Sequence, residues 1–165
     1  MKSRVHFPSE VVALERYCRQ VFHTPPLGDC HPSLPRRYRL RLNLVPVRMN
    51  FLSYINEKFV KDKMNVSCIR HTQFHKTEIK KVAVLGGSGS FAISAAKKAG
   101  ADILVTADLK YHDFFSAENE IILADIGHYE SEQYTKNYLV DYLSKKITNF
   151  AVVLSTANTN PVKYF

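Results

Sequence analysis

A histidine and a glutamate four residues apart, His128 and Glu132, are of the types that hold a divalent metal ion. Spacing i, i+4 places them on one face of a helix with Cβ atoms about 5–6 Å apart. An imidazole and a carboxylate so placed bind one divalent ion, or the carboxylate bridges two. The alternative is a surface His–Glu ion pair. Gly127, immediately before His128, favours the metal because a glycine lets backbone approach a ligand closely. Glu130 falls on another face of that helix and is expected in solvent.

Asp108, His112 and Asp113 form a second constellation around a strand-to-helix turn, Asp108 and His112 again at i, i+4. They suit a partner to a metal ligand, a substrate contact or a general acid or base. Equally, Asp108 or Asp113 caps a short helix while His112 packs. A third feature is Gly86-Gly87-Ser88-Gly89-Ser90, which follows an apolar run and opens a helix. Glycines permit positive φ, and a helix start offers unpaired N–H groups to a phosphate or carboxylate. The run matches neither a Walker motif nor G-x-G-x-x-G, and a simple tight turn explains it as well.

The elements that must carry these residues are readable from residue 49 onward. Asn50 caps a helix over residues 51–64 with Leu52, Ile55 and Phe59 on one face. Residues 65–71 read as a strand burying Val66 and Cys68. Residues 81–85 (VAVL after Lys81) form a continuous apolar run, as expected of a strand buried on both faces. An Ala-rich helix over residues 90–99 stops at Gly100. Strands follow at 102–106 and 121–124, with a short helix at 111–117 between them. A long helix spans 129–146, with Tyr134, Tyr138, Tyr142, Leu139 and Leu143 as an apolar stripe packed on the core. A last strand covers 150–154, and the tail from Asn158 to Phe165 folds back onto the sheet or a neighbouring subunit. Strands alternating with helices predict an α/β fold of βαβ units with a mostly parallel or mixed sheet. Ligands gather at the carboxyl ends of such strands. Three strand ends here supply the glycine run, the Asp108–His112 turn and the His128–Glu132 pair.

Composition is that of an ordinary soluble domain, 45% hydrophobic and 23% charged over 165 residues. No run approaches the roughly 18–20 apolar residues of a membrane helix, and the start of the chain lacks a signal-peptide core, so a cytoplasmic location is expected. Cys18, Cys30 and Cys68 show neither metal-site nor disulfide spacing. The net charge of +8 is uneven: residues 1–48 carry +6 and residues 49–165 only +2. The first 48 residues hold eight Arg, one Lys and six of the seven prolines, whereas the rest holds 13 Lys and one Arg. Residues 1–48 therefore read as an irregular Arg/Pro-rich segment: a disordered basic tail, a phosphate-binding arm, or foreign sequence joined to the domain, the last being favoured. A weak helix over residues 9–22 is the regular element foreseen there. Nucleic-acid binding through the arm is the lesser reading, because the body of the protein is nearly neutral.

Four ordered segments, KVAVLGGSGS at 81–90, TADLKYHD at 106–113, DIGHYESE at 125–132 and TNPVKYF at 159–165, resemble the C-terminal part of the Nif-three-like dinuclear metal centre family. Its bacterial members are commonly named GTP cyclohydrolase 1 type 2 homologs. The resemblance covers about residues 51–165. It implies one half of a two-lobed α/β fold, two divalent metal ions (Zn, Fe or Mn) held between the halves, a hydrolase-like activity on a small molecule and a toroidal homohexamer. It also implies His128 and Glu132 as metal ligands, with Asp108 and His112 beside the metals. The family's remaining ligands, a paired-His motif followed by Pro and a later Asp, have no match here. His31-Pro32 is not a paired-His motif, and Ala107 stands where many relatives have Gly. Two ligands cannot cage two metals. The chain alone is therefore expected to bind metal weakly or not at all, as a fragment of the metal protein or as a non-catalytic oligomerisation or interaction module.

Overall fold

The three apolar runs form the centre of a sheet. The computed structural model describes residues 43–50, 60–73, 75 and 77–165. In chain order the strands are β1 (Asn43–Asn50), β2 (Arg70–His71), β3 (Glu78–Ser88), β4 (Ile103–Ala107) and β5 (Ile122–Asp125). The helices are α1 (Val60–Met64), α2 (Ile93–Lys98), α3 (His128–Glu132) and α4 (Thr135–Lys146), with a 3-10 helix over Tyr111–Ala117. The sheet order is β1-β3-β4-β5-β2. β3, β4 and β5 are parallel, while β1 on β3 and β2 on β5 are antiparallel. The sheet is thus mixed, with a parallel centre and two antiparallel edges.

Alternation along each central strand feeds two separate cores. Val82, Val84, Ile103, Val105, Ile122 and Ala124 face α1 and Val66. Ala83, Leu104 and Leu123 face α2 and the 3-10 helix, among Ile93, Ala96 and Ala117. A strand buried on both faces needs apolar residues at every position, which is why these runs do not alternate in sequence. The in-register pairs Val82↔Ile103 and Ile103↔Ile122 align the three strand ends, so that the turns after β3, β4 and β5 emerge side by side. The outer edge of β5 closes at Leu123, whose amide donates to Thr72 Oγ1 while its carbonyl accepts from the Thr72 amide.

Several elements differ from the sequence reading. Asn50 ends β1 instead of capping a helix; helix α1 covers Val60–Met64, and Leu52, Ile55 and Phe59 lie outside the described residues. The helix foreseen over 9–22 also lies outside them. The boundary drawn at residue 48 falls inside β1, whose Pro46 stands opposite Lys81 on an edge strand, where a missing N–H is tolerated. The strand foreseen at 65–71 shortens to Arg70–His71, because Asn65 turns left-handed at φ 49, and Cys68 is exposed. The long helix breaks at Gln133–Tyr134. There the Gln133 side chain donates to Met64 O at 2.6 Å and the Tyr134 hydroxyl to Lys63 O at 2.9 Å, tying the break to the end of α1. Tyr134 packs against the core as expected, but beyond it α4 buries no residue, so the rest of the stripe is not core packing; Leu139 is 49% exposed. Residues 147–165 form no strand, and Phe150 and Val153 are exposed. The tail instead runs to α3, where Asn160 binds Glu130.

Leu104 is fully buried between β3 and β5 on the α2 face. Leu104→Ala is expected to cost about 2–5 kcal/mol in urea unfolding, from lost transfer energy and the cavity left behind. Ile103→Val on the opposite face should cost only about 0.5–1.5 kcal/mol.

Candidate metal centre

The turn after β4 and the helix after β5 bring three side chains together. Asp108 adopts φ 56, a left-handed conformation that Asp tolerates better than most residues. This turns its carboxylate toward α3, where Asp108 Oδ2 lies 2.5 Å from His128 Nδ1. The other ring nitrogen, Nε2, lies 3.3 Å from Glu132 Oε2. Asp108, His128 and Glu132 are each about half exposed, at 45%, 53% and 50%, so a solute can reach them.

Gly87 makes room for this cluster. It has φ 69, and a Cβ there would sit 2.7 Å from Glu132 Oε1 and 3.7 Å from His128 Cε1. Any side chain at Gly87 would displace the carboxylate. The Gly87 amide donates to Ser131 Oγ, and Ser131 Oγ donates back to the His128 carbonyl, fastening α3 to the end of β3. Gly86, Gly87 and Ser88 continue β3, and the Gly89 amide donates to Ala107 O. Two of the amides that an anion cradle over Gly86, Gly87, Ser88 and Gly89 would need are therefore engaged. Gly89 lies so close to Thr106 Oγ1 that a Cβ would overlap it. The physical role visible for these glycines is close packing of β3 against β4 and α3.

Asp125 organises the surroundings. It is 4% exposed at the end of β5. Its Oδ2 accepts from the Leu109 amide at 2.9 Å and from Arg70 Nη2, and its Oδ1 accepts from the Gly127 amide at 3.0 Å. Arg70 Nη2 also donates to the Leu109 carbonyl at 2.8 Å. One carboxylate thereby fixes both the turn carrying Asp108 and the turn carrying His128. Sequence reading missed Asp125 and Arg70. The available signal was a charged residue ending an apolar strand, which needs donors to be tolerated inside.

His112 is exposed on the 3-10 helix and makes ring contacts with Tyr111 and Phe115, at centroid distances of 5.3 and 6.5 Å. No hydrogen bond or ion pair among the described residues joins it to Asp108, His128 or Glu132. The i, i+4 spacing does not carry over, because the chain between Asp108 and Tyr111 is not helical. Asp113 caps the 3-10 helix, its carboxylate accepting from the Lys110 amide at 2.8 Å. Glu130 is not in solvent: it is 6% exposed, its Oε1 accepts from Asn160 Nδ2 at 3.2 Å, and the Tyr164 hydroxyl lies beside its other oxygen against Gly127. Burial, with Glu130 beside it, raises Tyr164 above the usual phenol range. The tail therefore reaches back to α3.

The donor set fits part of a metal site. A histidine whose Nδ1 is held by a carboxylate presents Nε2 as the ligand. A separation of 3.3 Å between Nε2 and Glu132 Oε2 suits two ligands at metal bonds of about 2.0–2.2 Å. Among the described residues no group of three or more His, Cys, Asp and Glu is placed to hold an ion, so the set is incomplete by itself.

A parallel-centred α/β sheet with a His–carboxylate cluster at its strand ends defines an α/β protein with a candidate metal-binding edge. The chain belongs to the Duf34/NIF3 (NGG1p interacting factor 3) family, whose model matches residues 33–161. It is 37% identical over 111 residues to the GTP cyclohydrolase 1 type 2 homolog of Staphylococcus epidermidis, covering 65% of this chain and 30% of that protein. It is 38% identical over 109 residues to the Campylobacter jejuni protein of the same name, covering 65% and 42%. The Bacillus cereus protein related to NIF3 superposes with TM-score 0.67 at 28% identity, over 75% of this chain and 35% of that one. Staphylococcus aureus protein SA1388 gives 0.63 at 30% identity, over 74% and 41%. The chain thus spans less than half the length of the relatives it matches. No helix among the described residues is long and apolar enough to cross a membrane.

Two outcomes test this geometry. The Asp108 hydrogen bond, reinforced by Asp108 and Glu132 charge and opposed by partial burial, raises the His128 pKa above the usual imidazole range. A raised folded pKa means the stabilisation is fully present below the unfolded imidazole value and is lost as pH rises through the folded value. Asp108→Asn should therefore lower the His128 titration midpoint in an NMR pH series and weaken that pH dependence of metal-free stability, with Glu132 sustaining the remainder; an unmoved midpoint would contradict the pairing. Asp125→Ala, which strands the Leu109 and Gly127 amides and Arg70, should cost about 2–4 kcal/mol by chemical denaturation.

Proposed function

We propose that this chain supplies one side of a divalent-metal centre in a hydrolase-like protein. His128 Nε2 and the Glu132 carboxylate are the ligands, and Asp108 holds the imidazole in the ligating tautomer. The observation that carries the reading is the Asp108–His128–Glu132 chain of contacts, at 2.5 and 3.3 Å, on a half-exposed strand edge. The common name of the relatives, GTP cyclohydrolase 1 type 2 homolog, supports a nucleotide or another phosphate-bearing metabolite as the substrate class. Two metal ions in a complete site, whether Zn, Fe or Mn, would polarise the substrate and activate a water. The further ligands are taken to come from protein beyond this chain, which matches 30–42% of the length of those relatives. His112 would act on substrate from its exposed position on the 3-10 helix, not on the metal.

Isothermal titration with Zn²⁺ and Mn²⁺ is expected to show weak uptake by the wild-type chain. His128→Ala and Glu132→Gln should each weaken it by tenfold or more. Uptake that is identical in wild type and both variants, or absent at millimolar metal, would overturn the assignment.

A second reading, as a non-catalytic oligomerisation module, is favoured by α4, which buries no residue and leaves Leu139, Tyr142 and Leu143 in solvent. A homo-oligomer, a toroidal hexamer in the fullest form, is the assembly proposed under either reading. Light scattering should then give a mass several times the 18.9 kDa of one chain, and Leu139→Lys with Leu143→Lys should reduce it to the monomer.

A further inference from the structure

Helix α3 has five residues, too few to hold its own direction, since isolated helices below about 12–15 residues are marginal in water. The aim of His128 and Glu132 is therefore set by what α3 is tied to. One tie is Ser131 to Gly87, and a second runs from Gln133 to Met64 O. The third is Glu130. Two residues from either ligand, at about 100° per residue, it projects from the side of α3 away from both. Its carboxylate is buried, its Oε1 accepts from the Asn160 amide, and the Tyr164 hydroxyl lies beside its other oxygen where both meet Gly127. A buried carboxylate is tolerated only while it is hydrogen-bonded. Without the Asn160 donor and the Tyr164 hydroxyl beside it, the carboxylate would turn toward water and roll α3, swinging His128 and Glu132 with it.

The segment that supplies the donors is itself pre-shaped. Asn158 Oδ1 accepts from the Asn160 amide at 2.9 Å, and Asn160 Oδ1 accepts from the Val162 amide at 3.0 Å. Asn160 is thereby used at both ends, its oxygen folding the segment and its nitrogen binding Glu130. Lys136 Nζ on α4 also donates to the Ser155 carbonyl at 3.2 Å, holding the approach to the segment. Gly127 has φ 89, and its Hα side is packed against Glu130 and the Tyr164 hydroxyl, so the turn into α3 and the segment meet at one point.

We infer that residues 158–165 are a strap that positions the metal-binding face of α3 by gripping Glu130 from its opposite side, with Asn160 and Tyr164 as positioning residues. The inference deepens the proposed metal function and rests on it for the affinity readout, but not for the spectroscopic one. The full chain carrying labelled histidine is observed by NMR without metal and then titrated with Zn²⁺. Asn160→Asp sets a carboxylate against a carboxylate; it should shift the His128 ring resonances and weaken Zn²⁺ binding about tenfold or more. Glu130→Gln added to Asn160→Asp restores a donor–acceptor pair with roles exchanged, and should return both readouts toward wild type. Tyr164→Phe removes the hydroxyl beside Glu130 and Gly127 and should give a smaller shift of the same resonances, which tests the strap even if Asn160→Asp fails to fold. Unmoved His128 resonances in Tyr164→Phe and Asn160→Asp, or no rescue by the double variant, would overturn the strap. Resonances that shift while the wild type takes up no Zn²⁺ would overturn the metal reading and leave the strap standing.

Discussion

The geometry of the strand edge depends on one buried carboxylate. Asp125 collects two backbone amides and a guanidinium, and each comes from a different part of the chain: the turn after β4, the turn after β5, and β2. Hydrogen bonds to an ionised acceptor in a poorly solvated place are stronger than neutral ones, and costly to lose. Asp108 and His128 meet because the turns that carry them are fastened to the same two oxygens. Sheet register brings the turns near each other; Asp125 fixes how they face.

The central fold was legible because burial on both faces leaves an unambiguous mark. Runs such as VAVL at 82–85 and ILV at 103–105 read as parallel strands, and the rule that ligands collect at their carboxyl ends pointed to Asp108, His128 and Glu132. What stayed hidden depends on contacts distant in sequence. The break between α3 and α4 comes from Gln133 and Tyr134 reaching the end of α1, some 70 residues earlier, and no helical periodicity records that. Glu130 looked like a solvent residue because helical phase says only that it faces away from His128; the tail's arrival on that side is tertiary. The apolar run at 150–154 has strand composition but joins no strand of the sheet. Asp108 and His112 share helical spacing without a helix between them.

The site residues are about half exposed, whereas Asp125 and Glu130, which fix the turns and the helix that carry them, are buried. Exposed polar groups are thus held by charges and amides beneath them. Glycine serves the same division: Gly87 gives Glu132 room above β3, and Gly127 with φ 89 permits the turn that starts α3 directly after the strand. The chain belongs to the Duf34/NIF3 family, and the Staphylococcus epidermidis and Campylobacter jejuni relatives are matched over only 30% and 42% of their length.

The closure of β5 at Leu123 has a bearing on how the molecule behaves in a crowded solution. A strand flank with free amides and carbonyls is a template on which other chains can polymerise. Here β2 covers only two residues, but Thr72 extends the cover by offering its hydroxyl where a neighbouring carbonyl would stand. The cover on β5 thereby runs past its two-residue partner by side-chain mimicry, a threonine hydroxyl standing where a strand's carbonyl would be.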